Sequence, residues 1–119
     1  MKTVLDEFGE RLIRNARDVP IRQFDATVSG HMKDAESKQL YQELSVLPPK
    51  QLELVRKIFI RAVDETLHHV LRTFEQNKDL DIVTTSSDGT KVSLTDKSDG
   101  LSGELYTEDG WIAKFSQYR

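Results

Sequence analysis

Apolar residues recur at helical spacing through the first two thirds of the chain and at strand spacing after that. In "TVLDEFGERLIRNARDV", Val4, Leu5, Phe8, Leu12 and Ile13 mark one face of an amphipathic helix, with Thr3 as its N-cap and Asp6 and Glu7 in its first turn. Gly9 costs that helix about 1 kcal/mol relative to alanine, which points to close packing at this position or to a looser helix. Pro20 is expected to end or break it, because the residue before a proline is disfavoured in the helical region. Ile21, Phe24 and Val28 then form a shorter helical piece that "SGH" closes at Ser29 to His31.

The spacing predicts another helix from Met32 to Val46, with Met32, Ala35, Leu40, Tyr41 and Leu44 on its apolar face. Pro48 and Pro49 stop it, and Pro49 suits the first turn of the next helix. That helix, about 50–76, is the spine of the protein. Its stripe runs Leu52, Val55, Phe59, Val63, Leu67, Val70 and Phe74, widened by Leu54, Ile58, Ala62 and Leu71. A stripe this wide serves a homodimer through the long helix as readily as a monomer core.

After "NKDL" the period falls to two. "LDIVTT" and "KVSLT" flank Asp88-Gly89, the dipeptide of a tight type I′ hairpin, and "GELYTEDGWIAKF" repeats the signal at Asp109-Gly110. In a second hairpin Trp111, Ala113 and Phe115 share one face and lie over the helical core. The expected class is α+β: N-terminal helices including one long helix, then a small antiparallel sheet of two β-hairpins over about 80–117. At 119 residues the chain fits a single domain, 1–119, with a helical part (1–79) and a β-rich acidic part (80–119).

Charge sharpens this division. Residues 1–79 hold 13 Lys and Arg against 13 Asp and Glu, whereas residues 80–119 hold four against seven, so the whole net charge of −3 is C-terminal. A neutral body with an acidic end argues against nucleic acid and suits a basic protein partner. No unbroken apolar run exceeds three residues, as in Ile58-Phe59-Ile60, so no segment spans a bilayer. Acids at Asp6, Glu7 and Glu10 occupy the place of a signal peptide's apolar core, and the expected location is cytoplasmic. There is no cysteine, which excludes disulfides, thiolate metal sites and cysteine nucleophiles.

Three groups of residues invite a chemical reading. "DETLHH" at Asp64–His69 sets Asp64 four residues before His68 and Glu65 four before His69, each acid facing a histidine one turn on. Glu65-x-x-His68 has the spacing of di-iron carboxylate bundles, but the chain has one such motif where that chemistry needs two. A metal site at Glu65, His68 and His69, with help from His31, is therefore the alternative, and solvated acid–histidine pairs are the expectation. Arg11, Arg14, Arg17 and Arg22 have the spacing to grip a phosphate or carboxylate. An exposed face balanced by Glu7, Glu10, Asp18 and Asp25 explains them more simply.

The third group is the acids of the C-terminal loops: Asp88, Asp96, Asp99, Glu104, Glu108 and Asp109. A calcium loop starting at Asp96 fails on spacing, since Gly100 falls at position five and Thr107 at position twelve. Turn chemistry accounts for many of these aspartates but not for the excess of acids over nearby lysines. Asp88, Asp99, Glu104, Glu108 and Asp109 are thus the expected partner-binding residues, with Tyr106 as an aromatic anchor if exposed; Trp111 would be another, but it is expected in the core and is left out of the site. "GLSGE" at 100–104 is no nucleophile elbow, no glycine-rich phosphate loop is present, and no cofactor is expected.

"LHHVLRTFEQN" at 67–77 and "SDGLSGELYTEDGWIAKFS" at 98–116 resemble a group of small bacterial proteins of unassigned function, built as helices followed by a short sheet. The resemblance covers roughly the second half of the chain and rests on turn and core residues, so it implies a fold and a bacterial origin but no activity. The general plan is also similar to the small acidic immunity proteins of bacterial toxin systems, a likeness of class that transfers no residue role. The expected function is non-catalytic, an immunity- or antitoxin-like factor that binds a protein partner.

Overall fold

The computed structural model describes residues 3–118. Helix α1 (Val4–Leu12) starts where the capping pattern places it, with the Thr3 hydroxyl accepting the Asp6 amide at 3.1 Å. It does not end at Pro20. A π-helical turn over Ile13–Arg17 carries the chain directly into α2 (Asp18–Val28), with Pro20 near its start. The carbonyl that a proline ring at 20 would strike in a regular helix is that of Ala16. Ala16 lies inside the wide turn, where the ladder is already shifted, so the helix passes the proline.

Ser29 caps α2 and Gly30 reverses the chain at φ +77°, with the Tyr41 ring directly over it. Helix α3 (Ala35–Leu44) begins later than Met32 because the Asp34 carboxylate caps it, accepting the Ser37 amide at 3.0 Å. None of its residues is buried, and its expected apolar face stays largely in solvent. Helix α4 (Pro49–Gln76) has 28 residues, opens on Pro49, and is roughly 42 Å long. The molecule measures 52 × 30 × 25 Å, so α4 runs most of its length.

In the remaining chain, Leu101–Leu105 packs on α4, while Leu94–Lys97 and Trp111–Phe115 pack on α1. Strands β1 (Val83–Thr85) and β2 (Lys91–Ser93) form one antiparallel hairpin, pairing Val83 with Ser93, Thr84 with Val92 and Thr85 with Lys91. Its turn is not type I′. The Gly89 amide returns to the Ser86 carbonyl at 3.0 Å and Gly89 alone takes positive φ, +86°, a type I turn followed by a left-handed glycine.

The second expected hairpin is absent. The chain instead forms α5 (Leu94–Lys97), a 3₁₀ turn over Leu101–Leu105, and α6 (Trp111–Phe115). Asp109-Gly110 leads into a helix, not a strand, so Trp111, Ile112 and Phe115 face the core at helical spacing. The class remains α+β, with a two-stranded sheet.

The core is small. Ile13, Leu67, Leu71, Leu94, Leu101, Leu105 and Trp111 form its buried cluster, and Phe8 meets the Trp111 indole edge-on at 5.8 Å between ring centres. Gly9 lies beneath that indole, which is the close packing its presence in α1 implied. Farther along, Phe24 stacks on Phe59 at 4.7 Å, and Arg56 holds Asp25 through two hydrogen bonds of 2.8 and 3.0 Å, tying α2 to α4. Among the described residues no helix is long and apolar enough to cross a membrane.

Candidate functional site

The Asp64–His69 stretch is not a set of acid–histidine pairs. Asp64 accepts the Arg17 side chain, Nε at 2.6 Å and Nη2 at 3.3 Å, and Glu65 pairs with Arg61 at 3.0 Å on the surface. The Arg17 guanidinium offers its fork of two donors to the Asp64 carboxylate, whereas Arg61 reaches Glu65 through Nε alone. His68 is half-buried, its ring 5.1 Å from that of His69 and 5.8 Å from that of Tyr106. His31 is exposed at the far end of α2. Among the described residues no three His, Asp or Glu side chains converge on one point that would hold a metal ion.

Arg17 departs furthest from its surface reading. Its side chain is 2% exposed. Besides Asp64 it donates from Nη1 to Ser116 Oγ at 2.7 Å and to the Tyr118 carbonyl, and it lies 3.8 Å from Asp18, itself 1% exposed. Asp18 in turn accepts the Ser116 hydroxyl at 2.6 Å and the Gln117 amide at 3.0 Å. One cation and two carboxylates, joined by these hydrogen bonds, thus fasten the π-turn, α4 and the C-terminal segment together. Arg14 behaves as expected, pairing with Glu10 at 3.4 Å, and Arg11 and Arg22 are exposed.

The five acids expected to bind a partner fall on different elements. Asp88 belongs to the hairpin turn: the Ser86 hydroxyl and the Thr90 amide hydrogen-bond its carboxylate and lower its pKa to about 2. Its role is to fix the turn. Asp99 is exposed before the 3₁₀ turn, Glu104 is half-buried within it, and Glu108 and Asp109 are exposed just after it.

The segment bearing these last three is firmly held. The Ser102 amide donates to the Glu75 carboxylate. Partial burial raises the pKa of Glu75, but the Ser102 hydrogen bonds, with Arg72 and His68, outweigh it and leave the carboxyl below its ordinary range. Thr107 takes φ +76°, the one non-glycine residue at positive φ among those described. Gly110 closes the turn so tightly that a Cβ there would meet the Tyr106 carbonyl carbon at 2.5 Å.

Tyr106, between Glu104 and Glu108 in the sequence, is 40% exposed, with its phenol pKa raised by burial and by the charges of Asp64 and Glu65 on α4. Trp111 is 1% exposed and belongs to the core, which removes it as an anchor. From Ser98 to Ala113 the sequence has no Lys or Arg, and Lys114, which follows, is engaged with Asp6 at 3.1 Å.

Sequence reasoning missed the buried Arg17–Asp18–Asp64 network, whose partners lie 47 or about 100 residues away. No family model, curated protein sequence or solved structure matches the chain.

Proposed function

We propose that this protein is a non-catalytic protein-binding factor that recognises a basic partner through the acidic turn of residues 99–109. The observation that carries the reading is a lysine-free segment on which Asp99, Tyr106, Glu108 and Asp109 are all exposed. Glu104 contributes negative charge from the half-buried side, and Asp88 is left out because its own turn occupies it.

Such a surface attracts cationic side chains over a Debye length and pre-pays the ordering of its own backbone. Tyrosine supplies contact area at the centre with little rotamer entropy to lose. An immunity- or antitoxin-like role in the bacterial cytoplasm is the concrete form of this reading. The sequence class, the small size and the confinement of net charge to one end support it.

The test is capture with tagged protein from a lysate of its own cells at low and high salt. A single basic protein recovered in stoichiometric amount at low salt and lost at high salt is the expected result. Recovery that ignores salt contradicts the electrostatic reading.

A further inference from the structure

The outer face of α4 carries its own complement. Leu54 and Ile58, one turn apart in its N-terminal half, are 57% and 60% exposed and form an apolar ridge. In the C-terminal half, Ala62, Glu65, Thr66, His69, Val70 and Thr73 line a shallow, open groove. At about 100° per residue, Leu54, Ile58, Ala62, Glu65, His69 and Thr73 lie within one third of the helix circumference. That third faces away from the buried Leu67 and Leu71. Ridge and groove occupy opposite halves of one face; Arg61 sits between them and Glu65 at the near end of the groove, their side chains 80% and 56% exposed.

We propose that a second copy of this chain covers this face, with the two α4 helices packed antiparallel about a two-fold axis near Ala62–Glu65. The register that sets Ile58 against His69 of the second copy also sets Leu54 against Thr73 and Ala62 against Glu65. Each ridge then enters the other copy's groove, and the small side chains of Ala62, Thr66 and Thr73 let the helices approach. Glu65 of each copy comes beside Arg61 of the other, so two arginines and two glutamates alternate around the axis.

Such an isologous contact needs the same patch to be complementary to itself, and this patch is, in shape and in charge. An unrelated partner would require neither the split into ridge and groove nor the balanced charge. The radius of gyration, 17.2 Å, exceeds the roughly 13.5 Å of a compact chain of this length. The chain is thus elongated along α4, and Leu54, Ile58 and Val70 on that helix are left exposed. None of these residues belongs to the acidic turn, although Glu65 lies near enough to Tyr106 to raise its phenol pKa; the two proposals are tested by different variants, so either can fail without the other.

Light scattering after size exclusion, over a concentration series, is the test. The wild-type chain is expected at twice its mass of 13.7 kDa, and Ile58→Glu at the single mass with unchanged helix content. Arg61→Glu and Glu65→Arg are each expected to be monomeric alone and to recover the dimer when mixed. Because the chain has no cysteine, Leu54→Cys and Thr73→Cys report direction: the two variants mixed form a disulfide, and Leu54→Cys alone does not link to itself. A wild type that is monomeric throughout overturns the proposal. So does a dimer indifferent to the three charge variants, or one in which Leu54→Cys links to itself.

Discussion

Replacing Gly9 with alanine in an exposed helix interior would stabilise this protein by about 1 kcal/mol, because alanine has the higher helix propensity. Here the opposite sign is expected. A Cβ at Gly9 would fall within 2.5 Å of three atoms of the Trp111 indole, against an ordinary contact of 3.4 Å or more. Trp111 is 1% exposed and pinned between Phe8 and the leucines of the core, so the ring has to move by roughly an ångström with its neighbours. Overpacking of this kind costs about 1–3 kcal/mol or more and outweighs the propensity gain.

The net expectation is a loss of up to about 2 kcal/mol, read as a lower urea midpoint at unchanged slope. In the background of Trp111→Phe, which frees space over Gly9, the same substitution should cost less, and the double-mutant cycle measures that coupling. A Gly9→Ala variant more stable than wild type would refute the packing of α6 on α1.

Other expectations concern the polar framework. Arg17→Ala leaves Asp18 and Asp64 without their cation and should cost about 3–5 kcal/mol in chemical denaturation. Arg17→Lys should recover only part of this, since a lysine cannot reproduce the fork. Gly110→Ala should be more disruptive than its ordinary φ suggests, because the obstacle is the Tyr106 backbone; loss of the near-ultraviolet signal of Trp111 reports it.

The Glu75 carboxyl is more acidic folded than unfolded, so its contribution is complete above its ordinary value of 4.5 and is lost as pH falls through the lowered folded value. Glu75→Gln should therefore flatten the decline of stability below pH 4.5 and change little of the pH dependence near neutrality.

Local signals were legible where local chemistry decided the outcome. The Thr3 cap, the Pro49 start of α4 and the presence of a turn at Gly89, though not its type, follow from one residue and its immediate neighbours, while Gly9 left close packing and a looser helix both open. The second hairpin was misread because Asp-Gly serves a helix start as well as a turn. Trp111, Ile112 and Phe115 do not alternate as a strand requires, and their one-and-four spacing was the available signal. Pro20 misled for a similar reason, since a π-turn leaves no trace in residue types.

The wide stripe on α4 overstated the core. A helix of 28 residues outruns what the rest of the chain covers, and Leu54 and Ile58 are left in solvent. Arg17 was not legible at all. An arginine at helical spacing reads as surface, and its burial depends on Asp64 and Ser116, which only the tertiary fold brings near.

Of the acids expected to form a site, the structure separates those that hold a turn, such as Asp88, from those that face solvent, such as Glu108 and Asp109. The most direct measurement compares the captured partner's affinity for wild type and for a chain carrying Asp99→Lys, Glu108→Lys and Asp109→Lys, by calorimetry at low and high salt. All three positions are exposed, so the variant should keep its fold, as circular dichroism checks. The account predicts that binding disappears in the variant and weakens with salt in the wild type. Equal affinity in a folded variant would contradict it.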